Sequence, residues 1–113
     1  FSTFTPPSAY TYKHLMAVHV RVRSPSRVLA LFEEMQSHSL TPHHAHYNFA
    51  LLAITQFGDL PNAIQRAQEV YEAMRLSGHR LDTRTLLALV HMCGLHQRPD
   101  LAARFRRERS LVP

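Results

Sequence analysis

The sequence predicts an all-α protein arranged as an α-solenoid of three helix pairs. Three observations lead there. Val28, Leu31, Phe32 and Met35 recur at i, i+3, i+4 and i+7, one face of a helix, with Glu33, Glu34 and Gln36 on the other side. The same phrase returns as Val70-Tyr71-Glu72-Ala73-Met74, and a polar exit follows it both times. The spacing is regular: 35 residues from Tyr12 to Tyr47, and 39 both from Phe32 to Tyr71 and from Pro42 to Leu81. Periods of this size mark stacked helix pairs. Each pair leaves an apolar face that only a neighbouring unit can bury.

Taken in order, residues 1–8 form an irregular lead-in stopped by Pro6-Pro7. A first helix is expected over residues 9–23, with Tyr12, Leu15, Met16 and His19 on one face. Ser24-Pro25 matches an N-cap followed by proline at the first helical position, opening a second helix to residue 37. Pro42 closes that unit. A third helix over residues 45–57 carries Tyr47, Phe49, Ala50, Leu51, Ala53 and Ile54. The run Gly58-Asp59-Leu60-Pro61 breaks it, and Asp59 is a candidate cap for a fourth helix ending at Leu76. The longer second unit places its extra residues at this break or in the opening turn of the fourth helix. Ser77-Gly78 supplies a stop tolerant of positive φ. Asp82 or Thr83 caps a fifth helix to residue 96 through Leu86, Leu87, Leu89, Val90 and Cys93. Arg98-Pro99-Asp100 opens a last, very basic helix with Leu101, Ala102, Phe105 and Leu111. The units are 9–43, 44–82 and 83–113, the last incomplete, and no stretch reads as a strand.

Composition narrows the function. The chain has 113 residues, 45% of them hydrophobic, which fits one folded unit. Its net charge of +5 and isoelectric point near 10.1 favour an acidic partner, nucleic acid being the commonest. The single cysteine, Cys93, excludes an internal disulfide and fits a reducing compartment. No apolar run approaches the ~18 residues of a membrane span. The chain opens at Phe1 without an initiator Met, which points either to a removed targeting segment or to an excerpt of a longer chain.

Thr11-Tyr12, Leu31 to Met35 and Thr41-Pro42 in the first unit, with Tyr47-Asn48, Gly58, Ala67, Val70 to Met74 and Asp82 in the second, resemble the pentatricopeptide repeat. The third unit keeps Thr85, Leu86 in the aromatic place, Ala102 and Phe105. The tetratricopeptide type, with its Trp-Leu-Gly-Tyr pattern, fits less well, because the chain has no tryptophan. The resemblance implies a right-handed superhelix of antiparallel helix pairs whose first helices line a concave surface. It also implies an organellar binder of single-stranded RNA that reads about one base per repeat. By that resemblance the base-reading positions are Lys13 with His43, Asn48 with Asp82, and Leu87 without a partner. The Asn48–Asp82 pair is similar to the family's uracil-reading combination, an amide that donates and accepts beside a carboxylate that orients it. Lys13 suits a phosphate better, and Leu87 cannot hydrogen-bond.

Charge is segregated. Residues 1–32 hold Lys13, Arg21, Arg23 and Arg27 and no acid; residues 33–74 hold five acids and only Arg66; residues 75–113 hold eight arginines against Asp82, Asp100 and Glu108. Two basic ends around an acidic middle are either phosphate contacts or solvated helix faces. Arg104, Arg106, Arg107 and Arg109 form the densest cluster and the first phosphate site expected, with Arg21 and Arg23 as a second. His38, His43, His44 and His46 lack cysteine or acidic ligands at tetrahedral spacing, and His91, Cys93 and His96 do not share a helix face, so no metal is expected. Paired carboxylates and glycine-rich phosphate loops are missing too, and neither catalysis, cofactor nor small-molecule substrate is expected.

The function expected is a non-enzymatic RNA-binding protein of the mitochondrion, or alternatively the plastid. One legible base-reading unit in three suits a structural place in a ribonucleoprotein such as the mitochondrial ribosome, among single-stranded or ribosomal RNA and neighbouring proteins, with no membrane. A free transcript-specific factor and a protein-binding scaffold without RNA are the alternatives.

Overall fold

A computed structural model describes residues 7–58 and 61–110, the last two without their side chains. Six helices follow one another: α1 (Ala9–Arg21), α2 (Pro25–Ser37), α3 (His44–Thr55), α4 (Pro61–Leu76), α5 (Thr83–Leu95) and α6 (Pro99–Ser110). No strand occurs among the described residues.

The helix starts follow the residues available to satisfy the first N–H groups. Ser8 accepts the Thr11 N–H at 3.3 Å, and Asp82 accepts the Thr85 N–H at 2.7 Å. Proline stands first in α2, α4 and α6, where it has no N–H to orphan. Ser24 occupies the cap of α2, yet its side chain makes no capping bond; the Arg27 N–H goes to the Ser24 backbone carbonyl at 3.1 Å instead. The proposed Asp59 cap lies outside the described residues.

All the described helix exits use one device. Arg23, Ser39, Gly58, Gly78 and Gln97 have φ of 59°, 62°, 68°, 82° and 56°. In four of them a paired backbone stop closes the turn, as where Ser24 N–H reaches His19 O at 2.9 Å and Arg98 N–H reaches Cys93 O at 2.8 Å. Gly78 carries this φ without strain; Arg23 and Gln97 hold it at a cost of roughly 1 kcal/mol each.

Packing joins each helix to the next within a unit, α1 to α2, α3 to α4 and α5 to α6, and α3 also touches α1, α2 and α5. Tyr12, Met16 and Val20 of α1 meet Val28, Phe32 and Met35 of α2; Leu51 and Ile54, Tyr71 and Met74, Leu89 and Met92, and Phe105 continue one core. Tyr12, Tyr47, Tyr71 and Phe32 are core side chains. Two expectations shift. Leu15 of α1 and Leu87 of α5 are exposed, since the buried stripe of α1 runs Tyr12-Met16-Val20 and that of α5 runs Thr85-Leu89-Met92. The extra length of the second unit lies largely in the opening of α4, which has 16 residues against 13 in α2.

The first helices of the units lie side by side and parallel. At one end His46 reaches Ala9 O, and Asn48 reaches the backbone of Arg80 and Asp82. At the other, Gln56 donates to Val20 O at 3.0 Å and His96 meets Gly58 O at 3.0 Å. The molecule measures 55 × 31 × 20 Å, with a radius of gyration of 14.6 Å, against about 13 Å for a spherical chain of this length.

Candidate functional site

Asn48 sits where α3 meets the start of α5, and it is 1% exposed. Its Nδ2 donates to His44 O at 2.9 Å and Arg80 O at 3.0 Å, while its Oδ1 accepts the Asp82 N–H at 2.9 Å. Asp82 in turn spends its carboxylate capping α5. The pair is therefore a joint between the second and third units. To read a base, the amide would have to surrender two bonds that hold Arg80 and Asp82 in place.

Arg104, expected to meet a phosphate, lies between carboxylates instead. Its Nη2 is 3.3 Å from Glu72 and its Nε 3.2 Å from Glu108, and its guanidinium stands over the Tyr71 ring at 5.8 Å. Tyr71 donates its hydroxyl to Glu108 and packs edge-on against Phe105 at 4.9 Å. Burial and then that hydrogen bond push the Tyr71 phenol well up from its usual range. Arg75 and Arg104 together hold the Glu72 carboxyl below the usual range, Arg75 contributing most. Glu72 and Glu108 thus occupy two of the five guanidinium donors and place two negative charges where a phosphate would approach Arg104. Arg106 and Arg107 are exposed on the same helix, and the Arg109 side chain lies outside the described residues.

Arg21 and Arg23 stand exposed at the α1–α2 corner, and among the described residues no carboxylate pairs with either. Lys13 is half-buried, its ammonium 5.3 Å from the Tyr10 ring. His43 is exposed ahead of α3 and gives its N–H to His46 Nδ1 at 2.9 Å.

The residues that sequence reasoning missed are Tyr10, His14 and Arg84. Tyr10, His14 and Arg21 fall at i, i+4 and i+11, the face of α1 turned away from its packed stripe. Arg84 and His91 occupy the matching face of α5, and all five are exposed. Tyr10 is 67% exposed, with the His14 ring edge-on at 4.3 Å. The Tyr10 ring is thus largely open to water, with the Lys13 ammonium over it and His14 beside it, on the same helix face as Arg21. The signal was available in the spacing of Tyr10, His14 and Arg21. Arg84 stands in the first turn of α5, where the helix dipole disfavours a cation and no acid accompanies it.

His46 has a different role. Its Nε2–H points at Ala9 O at 2.8 Å while Nδ1 accepts the His43 N–H, so both neutral-ring positions are used. Burial lowers its pKa from 6.5, against the raising effect of the Ala9 hydrogen bond, and His43 and Lys13 lower it further. The folded state thus prefers the neutral ring. That stability is complete above about pH 6.5, the ordinary value, and is lost as pH falls below it. Wild type should therefore lose more thermal stability between pH 7 and 5 than His46→Leu, the gap between them narrowing in acid; a constant gap in melting scans would contradict the assignment.

Among the described residues no three His, Cys, Asp or Glu side chains gather as a metal site, and no helix is long and apolar enough to cross a membrane. Burial pushes the Cys93 thiol up. No family model matches the chain, and no curated protein matches it.

Proposed function

We propose that this chain is a non-enzymatic, pentatricopeptide-like protein that binds single-stranded or ribosomal RNA as a structural part of an organellar ribonucleoprotein such as the mitochondrial ribosome. The helix pairs run antiparallel and continue one another as a right-handed α-solenoid, and the aligned first helices form its concave surface. The observation that carries this reading is the exposed row on those helices. Tyr10 offers a stacking face flanked by Lys13 and His14, and Arg21 and Arg84 stand without carboxylate partners among the described residues at opposite ends. Stacking is indifferent to base identity, and arginine meets phosphate whatever the sequence. With Asn48 and Asp82 committed to the joint between units, such a surface holds RNA without selecting a transcript. That favours the structural role over a free, sequence-specific factor. The mitochondrial setting rests on the family resemblance.

Fluorescence anisotropy with a labelled single-stranded RNA tests it. Tyr10→Ala should weaken binding by roughly 5- to 100-fold. Arg21→Ala and Arg84→Ala should each reduce the slope of log affinity against log salt by about 0.7. Arg23→Gly separates function from stability, because glycine relieves the left-handed φ. It should raise stability by about 1 kcal/mol while weakening RNA binding. Affinity that ignores salt and Tyr10 would overturn the reading.

A further inference from the structure

Two corners of the molecule are built alike. Where α1 turns into α2, the Ser24 N–H reaches His19 O at 2.9 Å, the Arg23 N–H reaches Val20 O at 3.1 Å and the Val28 N–H reaches Ser24 O at 3.2 Å. Where α5 turns into α6, the Arg98, Gln97 and Ala102 N–H groups make the same three bonds at 2.8, 3.1 and 3.2 Å. Arg23 and Gln97 both hold positive φ, and Pro25 and Pro99 both open the helix that follows.

The corners differ in charge. The second residue of α6 is Asp100, whose carboxylate accepts from Arg98 Nε at 3.1 Å and Nη2 at 3.0 Å. That guanidinium, joined by the N–H groups of Asp100 and Leu101, holds the carboxyl below its usual range. The second residue of α2 is Ser26, which is exposed and makes no side-chain hydrogen bond among the described residues. Arg21 and Arg23 precede it and Arg27 follows it; all three are exposed, and no described carboxylate meets them. Residues 7–32 contain no acid. The first acids beyond them are engaged elsewhere, Glu33 by Arg66 at 2.8 Å and Glu34 by the Tyr12 hydroxyl at 2.6 Å. This corner holds the cations for an anion that its own sequence does not supply.

We propose that Ser26 is a phosphorylation site, its phosphate taking at the α1–α2 corner the place that the Asp100 carboxylate has at the α5–α6 corner, with Arg23 and Arg27 as its partners. A protein kinase supplies the group from a nucleoside triphosphate. Ser26 Oγ bonds to the γ-phosphorus, the bond to the bridging oxygen breaks, the nucleoside diphosphate leaves and the hydroxyl proton passes to the kinase's base. Arginines three and five residues ahead of the acceptor give a kinase with an acidic substrate groove something to hold. The product carries about two negative charges in the first turn of a helix, where they are favoured. Its effect rests on the RNA-binding reading: a phosphate on Arg23 and beside Arg21 withdraws this corner from RNA.

Phosphopeptide mapping of the native protein, isolated with phosphatases inhibited, should find the phosphate on Ser26. The full chain with phosphoserine encoded at position 26 shows what it does. Its second ionisation, followed by phosphorus NMR, should fall below the usual ~6. Arg23→Gln or Arg27→Gln should move it back, and glutamine suits the Arg23 turn because Gln97 holds the matching one. Affinity for the labelled single-stranded RNA should drop about tenfold, with a salt slope smaller by about 1.4, the share of two phosphate contacts. Ser26→Ala should bind RNA as wild type does. Native protein without phosphate on Ser26, or an ionisation indifferent to both arginines, would overturn the site. RNA binding that survives phosphorylation unchanged would overturn the regulation alone, whereas failure of the unmodified protein to bind RNA would overturn the functional reading and the regulation with it.

Discussion

Asn48→Leu should lower the thermal unfolding midpoint by roughly 12–15 °C, corresponding to about 3 kcal/mol in a chain of this size. The side chain volume is nearly kept, so no large cavity forms. What is lost is the partner of Asp82 N–H and of Arg80 O, two backbone groups held only by that amide across 34 and 32 residues of sequence. An orphaned buried donor loses its hydration without replacement, which makes this a larger effect than deleting an exposed hydrogen bond. Asn48→Asp should also destabilise, since its carboxylate keeps the Asp82 N–H but faces the Arg80 carbonyl. Circular dichroism melting curves check both. A variant with wild-type stability would return Asn48 to the role the family resemblance implies.

Phe105→Ala should detach α6 at a cost of about 3–4 kcal/mol. Phe105 is 1% exposed and closes the end of the core, packed on Tyr71. It is also the anchor that sets Glu108 under the Tyr71 hydroxyl and beside Arg104. The loss should be local. Hydrogen exchange should accelerate across α6 and the end of α4, while α1 to α3 keep their protection, because α6 packs on α5 and, through Phe105, on Tyr71 of α4 at the far end of the shared core. Uniform acceleration through all six helices would show that the units do not open separately.

Much of the fold was legible because it is local. The stripe Val28-Leu31-Phe32-Met35, the proline starts and the Gly78 stop each lie within one or two turns, and the structure places all of them as read. The third helix begins one residue earlier than expected and ends two earlier, at Thr55, since the chain turns at Gln56-Phe57 before Gly58 takes positive φ. What lay beyond reach was decided between units. Leu15 and Leu87 look like core residues on a helical wheel, yet each belongs to a face that only a further helix could cover. Arg104 sits in the most basic stretch of the chain, and only its i+4 neighbour Glu108 was readable as a partner. Glu72, 32 residues away, was not. The Asn48 amide was assigned to a ligand because nothing in the sequence says that the backbone of Arg80 and Asp82 folds back onto it. Tyr10 was overlooked for a different reason: its neighbour Tyr12 carries the buried repeat, and adjacent residues on a helix point to different sides.

The most direct measurement is ultraviolet crosslinking of the native protein in organelle lysate, with nucleotide adducts mapped to residues. Adducts at Tyr10 or elsewhere on the exposed faces of α1 and α5 are the predicted result. Adducts confined to α2, α4 or α6, or none at all in an intact complex, would contradict an RNA-binding surface built on the first helices.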